Sequence, residues 1–508
     1  MLARARTFAI EGLQARAVTV EVDIRAGLPA FTIVGLADAA VREARDRVRA
    51  AILNSGFEFP ARRITANLAP ADVPKVGPGF DLALACALLA ASEQIPPERL
   101  ATHTLFGELS LDGGVRASHG TLAVAEATQK AAMEMLLVAP ARAREAALVR
   151  GLCVGVVASL ARAACVLAGG EPDPLPALSG GAIRTRPALP DLADVRGRPE
   201  AVEALAIAAA GAHNLLLSGS PGTGKTMLAQ RLPSILPPLD AREALEVLRV
   251  ASVSGRTSDR CELPRERPFR SPHHSVTTAG LIGGARSGWV GEAVLAHNGV
   301  LFLDELSEFA RPTLEALRQP LEEGRVAIVR ARHSSVYPAR FMLVGATNPC
   351  PCGYAGEPQL CRCDRRDLAR HRRRLSGPLL DRIDLLVQMR RDRAEHFSSA
   401  PAERSARARA RVIEARERQA RRMRQCDGPR VNAQLDAAML RRHAALDARC
   451  EQMLESAHGR GLLSARGTYR ALRVARTIAD LRGSDRVDPD DLAKALSLRP
   501  ETGPAVGG

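Results

Sequence analysis

The chain has 508 residues, 46% of them apolar, and a formal net charge of +15. That length exceeds what one hydrophobic core organises, so roughly three domains are expected. Aromatic residues at 3% are too few for a platform that stacks successive bases, so a polyanionic partner, which the basic balance favours, would be gripped through arginine and phosphate. No stretch reaches membrane-span length and the first twenty residues lack a continuous apolar run, so a cytoplasmic protein is expected. Its 10 cysteines then read as thiols or metal ligands rather than disulfides.

In chain order, Val18, Val20, Val22 and Ile24 alternate with polar or small residues and predict a strand, and a second follows over 30–34 after the turn Gly27-Leu28-Pro29. Val41, Ala44, Val48, Ala51 and Ile52 recur at helical spacing, with Gly56 at the C-terminal cap of a helix that runs to about Asn54. Strands over 63–68, 105–111 and 135–138 and helices over 81–91 and 121–133 complete an α+β unit spanning 1–168. The run Lys75-Val76-Gly77-Pro78-Gly79-Phe80-Asp81, followed by residues 107–116, resembles the Lon protease domain and its ribosomal-S5-like relatives. By motif position the Lon Ser–Lys dyad falls on Gly79 and about Leu122, neither of which can attack or accept a proton. The resemblance therefore implies a Lon-like fold without peptidase chemistry, in a role of interaction or assembly. Residues 169–193, rich in Gly and Pro and without periodicity, read as a linker.

A nucleotide domain is expected over 194–395. Asn214 to Ser218 is a short apolar run, and Gly219-Ser220-Pro221-Gly222-Thr223-Gly224-Lys225-Thr226 matches G-x-x-x-x-G-K-[ST] at every position. Glycines let the backbone turn several N–H groups toward one point at a helix N-terminus, a socket for the phosphates of ATP. Lys225 adds a point charge there, and the Thr226 hydroxyl is placed to hold Mg²⁺. Residues 299–305, GVLFLDE, read as a buried strand ending in two acids, with Asp304 on the metal side and Glu305 able to polarise water; the bland alternative is a helix cap. Residues 341–348 are a second buried strand ending in Asn348, placed to orient water and touch the γ-phosphate, the sensor 1 role of AAA+ enzymes.

Ser376 to Leu385 resembles the arginine-finger segment of magnesium-chelatase ATPase subunits and minichromosome-maintenance helicases, which makes Arg382 a finger reaching a neighbouring subunit's nucleotide; a surface pair of Arg382 with Asp384 is the plain alternative. With PFRSPHH at 268–274, LAHNGVLFLDEL at 295–306 and NPCPCG at 348–353, nearly the whole chain resembles the ComM/YifB family of magnesium-chelatase-like AAA+ ATPases. The resemblance implies hexameric rings acting as ATP-driven DNA branch-migration helicases in natural transformation. Arg198 stands where the family pattern has Gln and Val290 where it has Pro, which touches the adenine side and one insertion loop. Two strand-like runs over 325–341 resemble the pore hairpin of minichromosome-maintenance helicases and carry Arg330 and Arg332 at the tip as candidate DNA contacts; a Gly-rich insertion with Arg286 and Trp289 is a second pore-loop candidate.

Cys350, Cys352, Cys361 and Cys363 form two C-x-C pairs close enough in sequence for one tetrahedral Zn²⁺, with free thiols the alternative. Residues 396–501 read as helices over 406–424, 435–443, 446–457, 464–481 and 489–496, the all-α lid of an AAA+ module, and 502–508 as a tail. The first of these is arginine-rich with few apolar positions and reads as a solvated face. Ser464-Ala465-Arg466 resembles the sensor 2 segment, which makes Arg466 a γ-phosphate contact. The expected activity is sequence-independent movement on branched or duplex DNA. The rival is the ATPase subunit of a metal-inserting chelatase, which shares every phosphate-site residue; a protease fails on Gly79 and Leu122.

Overall fold

The computed structural model describes residues 1–35, 38–176, 189–257, 262–284, 290–330, 333–357, 359–374, 377–390, 401–424, 430–444, 446–460 and 463–499. Arg286, Trp289, Arg332, Ser376 and the expected tail over 502–508 lie outside them, as does 177–188 of the expected linker.

The N-terminal part is built on a mixed sheet. Its strands are β1 (Leu2–Glu11), β2 (Gln14–Arg25), β3 (Ala30–Val34), β4 (Arg63–Ala69) and β5 (His103–Phe106); β6 (Glu108–Leu109) and β7 (Val115–Arg116) form a separate small hairpin, and β8 (Met135–Val138) and β9 (Val154–Val156) complete the sheet in the order β3-β4-β2-β1-β5-β8-β9. β1 and β2 pair antiparallel with Phe8 opposite Ala17, and β5, β8 and β9 run parallel. The helix Asp81–Ala91 is buried along its whole length, as its nearly unbroken apolar sequence requires. The strand expected over 105–111 is two strands. After Phe106 the chain leaves the sheet, because Gly107 N–H is taken by Gly79 O at 3.1 Å and Leu109 N–H by Asp81 Oδ2 at 3.2 Å. The helix expected to reach Met133 stops at Lys130.

A second, five-stranded sheet is wholly parallel. It comprises β10 (Leu215–Gly219), β11 (Phe269–Arg270), β12 (Val300–Leu303), β15 (Met342–Thr347) and β16 (Leu385–Met389) in the order β11-β12-β15-β10-β16. Between β12 and β15 the chain makes an antiparallel hairpin of β13 (Arg325–Arg330) and β14 (His333–Pro338). The chain steps outward from β10 to β11, returns through β12 and β15, and crosses to β16. The topological switch therefore lies beside β10, where such sheets open a crevice at the strands' C-terminal ends. Leu215, Leu217, Val300, Phe302 and Val344 are fully or almost fully buried between helical layers, each burial favourable by roughly 1.5–3 kcal/mol before conformational entropy is charged.

The described residues from 405 to 497 contain helices and no strand. The arginine-rich helix Ser405–Arg422 departs from expectation. It buries Ser405, Ala408, Val412, Ala415 and Gln419 among the helices Pro199–Gly211, Leu232–Ile235 and Ala465–Arg482, and Arg416 donates to Ala209 O at 2.7 Å. It is a packed scaffold with a charged outer face rather than a solvated rod.

The two sheets meet through the helix Ala241–Val253. Arg249 forks onto Glu126, Gly120 N–H donates to Ser252 O at 3.0 Å, and Leu122 packs on Leu248. At Gly79 an added Cβ would come 2.6 Å from the Phe106 ring, and Leu122 is wholly buried. There is no room for a serine at the first position, and the second is used as a seam.

Candidate active site

The phosphate loop runs from the C-terminal end of β10 into the short helix Lys225–Ala229. Gly222 and Gly224 hold φ of +77° and +82°, which only glycine adopts without strain, and a Cβ on Gly222 would meet nothing within 4 Å. The result is an open cradle of backbone donors. Lys225 Nζ reaches across it, donating to Gly219 O at 2.6 Å, Ser220 O at 2.9 Å and Asn348 Oδ1 at 3.2 Å. Burial pushes the Lys225 ammonium down from its ordinary pKa, nearby Asp304 opposes the shift, and Arg198 adds to it. A cation partly stripped of water and held at this cradle by backbone carbonyls is able to exchange those partners for phosphate oxygens.

Asp304 follows β12 directly, and its Oδ2 accepts from Thr226 Oγ1 at 2.8 Å. A hydroxyl and a carboxylate so joined are the donor set expected around Mg²⁺. Glu305 adopts a left-handed conformation, φ +51°, that turns its side chain out of the strand line. Its Oε2 lies 3.1 Å from His274 Nδ1, and the His274 ring lies 4.0 Å from that of His273. Asn348 closes the third side, and His371 Nε2 lies 2.9 Å from Asn348 O.

β10, β12 and β15 thus bring Lys225, Thr226, Asp304, Glu305 and Asn348 to one crevice. The other expected residues stand elsewhere. Arg382 follows the helix Gly377–Leu380, and its guanidinium bonds Glu322 and Pro378 O in a cleft that it shares with Arg470 and Arg473 and that no phosphate-loop residue lines. The alternative pairing with Asp384 is not formed: Asp384 accepts from Asn214 N at 2.9 Å and faces His213. Arg466 is exposed in the first turn of the helix Ala465–Arg482, behind the Ser464 cap. Arg330 ends β13 opposite His333 in the hairpin register.

Two participants, His274 and Glu357, are not recognisable from the sequence, and a third, Arg198, stands out there only as a departure from the family pattern. His274 was visible only inside the PFRSPHH run, with nothing to say that it meets Glu305. Arg198, beside Gly224, donates to Arg390 O at 3.1 Å, so it takes a structural partner at the position where Gln was expected. Glu357 accepts from Ser220 Oγ at 2.7 Å and ties the cysteine-bearing loop to the phosphate loop. In that loop the four sulfurs of Cys350, Cys352, Cys361 and Cys363 converge within 4.8 Å. The backbone N–H groups of Arg362 and Tyr354 draw the Cys352 thiol down to about 6.

A parallel sheet with this phosphate loop, an acidic pair two strands away and a polar amide on the strand between them defines an AAA+ ATPase core of the magnesium-chelatase type, which uses ATP and Mg²⁺. Family profiles agree: residues 191–397 match "Magnesium chelatase, subunit ChlI", residues 20–142 "Subunit ChlI of Mg-chelatase" and residues 402–499 "Magnesium chelatase, subunit ChlI C-terminal". The chain is 46% identical to a protein of Mycobacterium tuberculosis over 98% of both chains. It is 44% identical to YifB of Escherichia coli over 97% of this chain and 96% of that one, and 42% identical to the competence protein ComM of Haemophilus influenzae over 96% and 95%. The chain belongs to the ComM/YifB family of magnesium-chelatase-like AAA+ ATPases.

Proposed function

We propose that the chain is a ring-forming, hexameric ATPase of the cytoplasm that couples ATP hydrolysis to sequence-independent movement on branched or duplex DNA, as a branch-migration helicase in recombination or natural transformation. The observation that carries the ATPase reading is the convergence of Lys225, Thr226, Asp304 and Asn348 on one open cradle. The movement on DNA rests on the +15 charge, on the β13–β14 hairpin with Arg330 and Arg332, and on likeness to a relative described as a competence protein.

In this reading Gly219, Ser220, Pro221, Gly222, Thr223 and Gly224 shape the backbone that receives the β- and γ-phosphates, and Lys225 releases its carbonyl partners to bind them. Thr226 and Asp304 would hold Mg²⁺, which when bound neutralises phosphate charge. Glu305 takes the proton of the attacking water, with His274 as its partner before substrate arrives. Asn348 orients that water and steadies Lys225. Arg382, remote from its own phosphate loop, acts on the nucleotide of the neighbouring subunit, and Arg466 contacts the γ-phosphate from the helical lid. The N-terminal part has a Lon-like fold and serves assembly.

The metal-insertion reading shares this chemistry but gives DNA no role. One assay separates them: the ATPase rate with no DNA, linear duplex or a four-way junction. A several-fold stimulation by the junction is expected. Equal rates under all three conditions would sink the DNA reading and leave the ATPase intact.

A further inference from the structure

Four cysteines lie beside the phosphate loop and take no part in phosphate chemistry. Their sulfurs lie within 4.8 Å of one another, with Cys350 to Cys352 at 3.3 Å and Cys352 to Cys361 at 3.8 Å. Thiolates at the corners of a tetrahedron around one ion, with metal–sulfur bonds of about 2.3 Å, stand about 3.8 Å apart. A disulfide would draw a pair to about 2.0 Å, and a cluster of two irons would spread the thiolates over two centres. The spacing suits a single ion with all four positions filled, the closed arrangement of structural rather than catalytic sites.

The surrounding backbone is shaped to the same end. Gly353 turns the chain back after Cys352 with φ +88°, its N–H donating to Cys350 O at 2.9 Å, and Ala355 N–H donates to Cys350 Sγ at 3.2 Å. Such donors to sulfur steady a metal-bound thiolate. Among the described residues no helix or strand lies between Thr347 and Arg365, so this segment owes its shape to its own cross-links. It also sits on the catalytic machinery. Asn348 precedes Cys350 by two residues, Ser220 Oγ donates to Glu357 Oε1 at 2.7 Å, and a Cβ on Gly353 would come 2.6 Å from Pro221 Cδ.

We propose that Cys350, Cys352, Cys361 and Cys363 bind one Zn²⁺ as a structural ion that closes the 350–363 loop and so holds the phosphate loop and Asn348 in register. Binding deprotonates the four thiols as four Zn–S bonds form, the protons passing to solvent, and no redox partner is needed. The metal site stands on its own geometry; only its effect on nucleotide rests on the ATPase reading.

The experiment uses the full chain purified without chelator. About one zinc per chain is expected by elemental analysis, with those four thiols slow toward a thiol reagent. Replacement by Co²⁺ should give the visible bands of a tetrahedral tetrathiolate. The C361S/C363S double variant should lose the zinc and C363H should keep it. A wild-type protein with no zinc, no cobalt spectrum and freely reactive thiols would overturn the proposal, as would iron in place of zinc. If the double variant does not fold, wild-type stoichiometry and the cobalt spectrum still decide. Stripping zinc with a mercurial and chelator should speed tryptic cleavage after exposed Arg362 several-fold, weaken binding of a fluorescent ATP analogue several-fold, and be reversed by added Zn²⁺. Unchanged cleavage and affinity on removal would overturn the structural role. Zinc found in a protein that hydrolyses no ATP would leave the metal site standing and sink the ATPase reading.

Discussion

Lys225 and Glu305 hold different proposed roles and should fail differently. On the proposed reading Lys225 trades its carbonyl oxygens for phosphate oxygens, so Lys225→Ala should weaken ATP binding itself, by about tenfold or more for a charge-assisted contact of 1.5–3 kcal/mol. Glu305→Gln keeps shape and hydrogen bonding but not basicity, and should bind ATP normally while turnover falls by roughly 10²–10⁴. Equilibrium binding of an ATP analogue beside phosphate release checks both, and near wild-type turnover in Glu305→Gln would remove that residue from the reaction. At this scale the sequence was informative wherever a role follows from residue type and local spacing. Each signal is local, the glycine run with Lys225 and Thr226 in one short piece, the acid pair after its apolar strand in a second and Asn348 after its strand in a third, and folding only has to bring three short pieces together. His274 and Glu357 are opaque because each acts on a group far away in sequence, 31 residues in one case and 137 in the other, and a lone histidine or glutamate in a loop carries no periodicity.

Among the elements, the helix Ala241–Val253 ties the acidic strand to the N-terminal sheet. Its Glu246 accepts from Asn298 Nδ2 at 3.0 Å, lies 3.1 Å from His297 Nε2 and pairs with Arg340 at 3.2 Å, so it fixes the entrance to β12. The His297 and Asn298 hydrogen bonds hold its carboxyl down to about 2, against 4.5 for the free side chain. A depressed folded-state pKa means that the stabilisation is complete above about pH 4.5 and is lost as pH falls from there to about 2. Glu246→Gln should lower stability at pH 7 by on the order of 1–2 kcal/mol, the pair being partly solvated, and the gap from wild type should close near pH 2. Urea midpoints across that range are the measurement, and a gap independent of pH would refute the assignment. Helix ends with strong chemistry were legible: Asp488 caps Pro489–Ser497 with a full capping box, and Ser464 caps its helix through Gly467 N. The packing of the helix Ser405–Arg422 is hard to read from sequence because its buried stripe is made of Ser, Ala and Gln with a single Val, which hardly register as apolar beside the arginines of the outer face. The split at Gly107 is hidden for a similar reason: a strand-like run such as LFGELSL does not reveal that its backbone donors go to Gly79 and Asp81.

At the scale of the whole molecule, Arg382 and the phosphate loop of one chain do not meet. If the finger acts between subunits, Arg382→Ala chains mixed with Lys225→Ala chains should recover part of the ATPase at interfaces where one supplies the loop and its neighbour the finger; no recovery in rings shown to be mixed would refute this. The N-terminal sheet also reaches the hairpin. Leu13, in the β1–β2 turn, packs on the cluster of Val326, Ile328 and Tyr337 at the base of β13 and β14, leaving Arg330 at the far end. A hairpin anchored at its base by the β1–β2 turn is suited to the DNA contact proposed for it. Arg330 and Arg332 can each neutralise one phosphate, so replacing both with Ala should weaken binding about equally across sequences and reduce the salt slope by about one to two units. Basal ATPase should persist, because neither residue belongs to the nucleotide crevice, whereas DNA stimulation and strand movement should fall. The competing source of charge is the outer face of the helix Ser405–Arg422, where Arg407 and Arg411 are exposed. Unchanged salt dependence and unwinding in the Arg330→Ala, Arg332→Ala protein would transfer the DNA contact from the hairpin to that face.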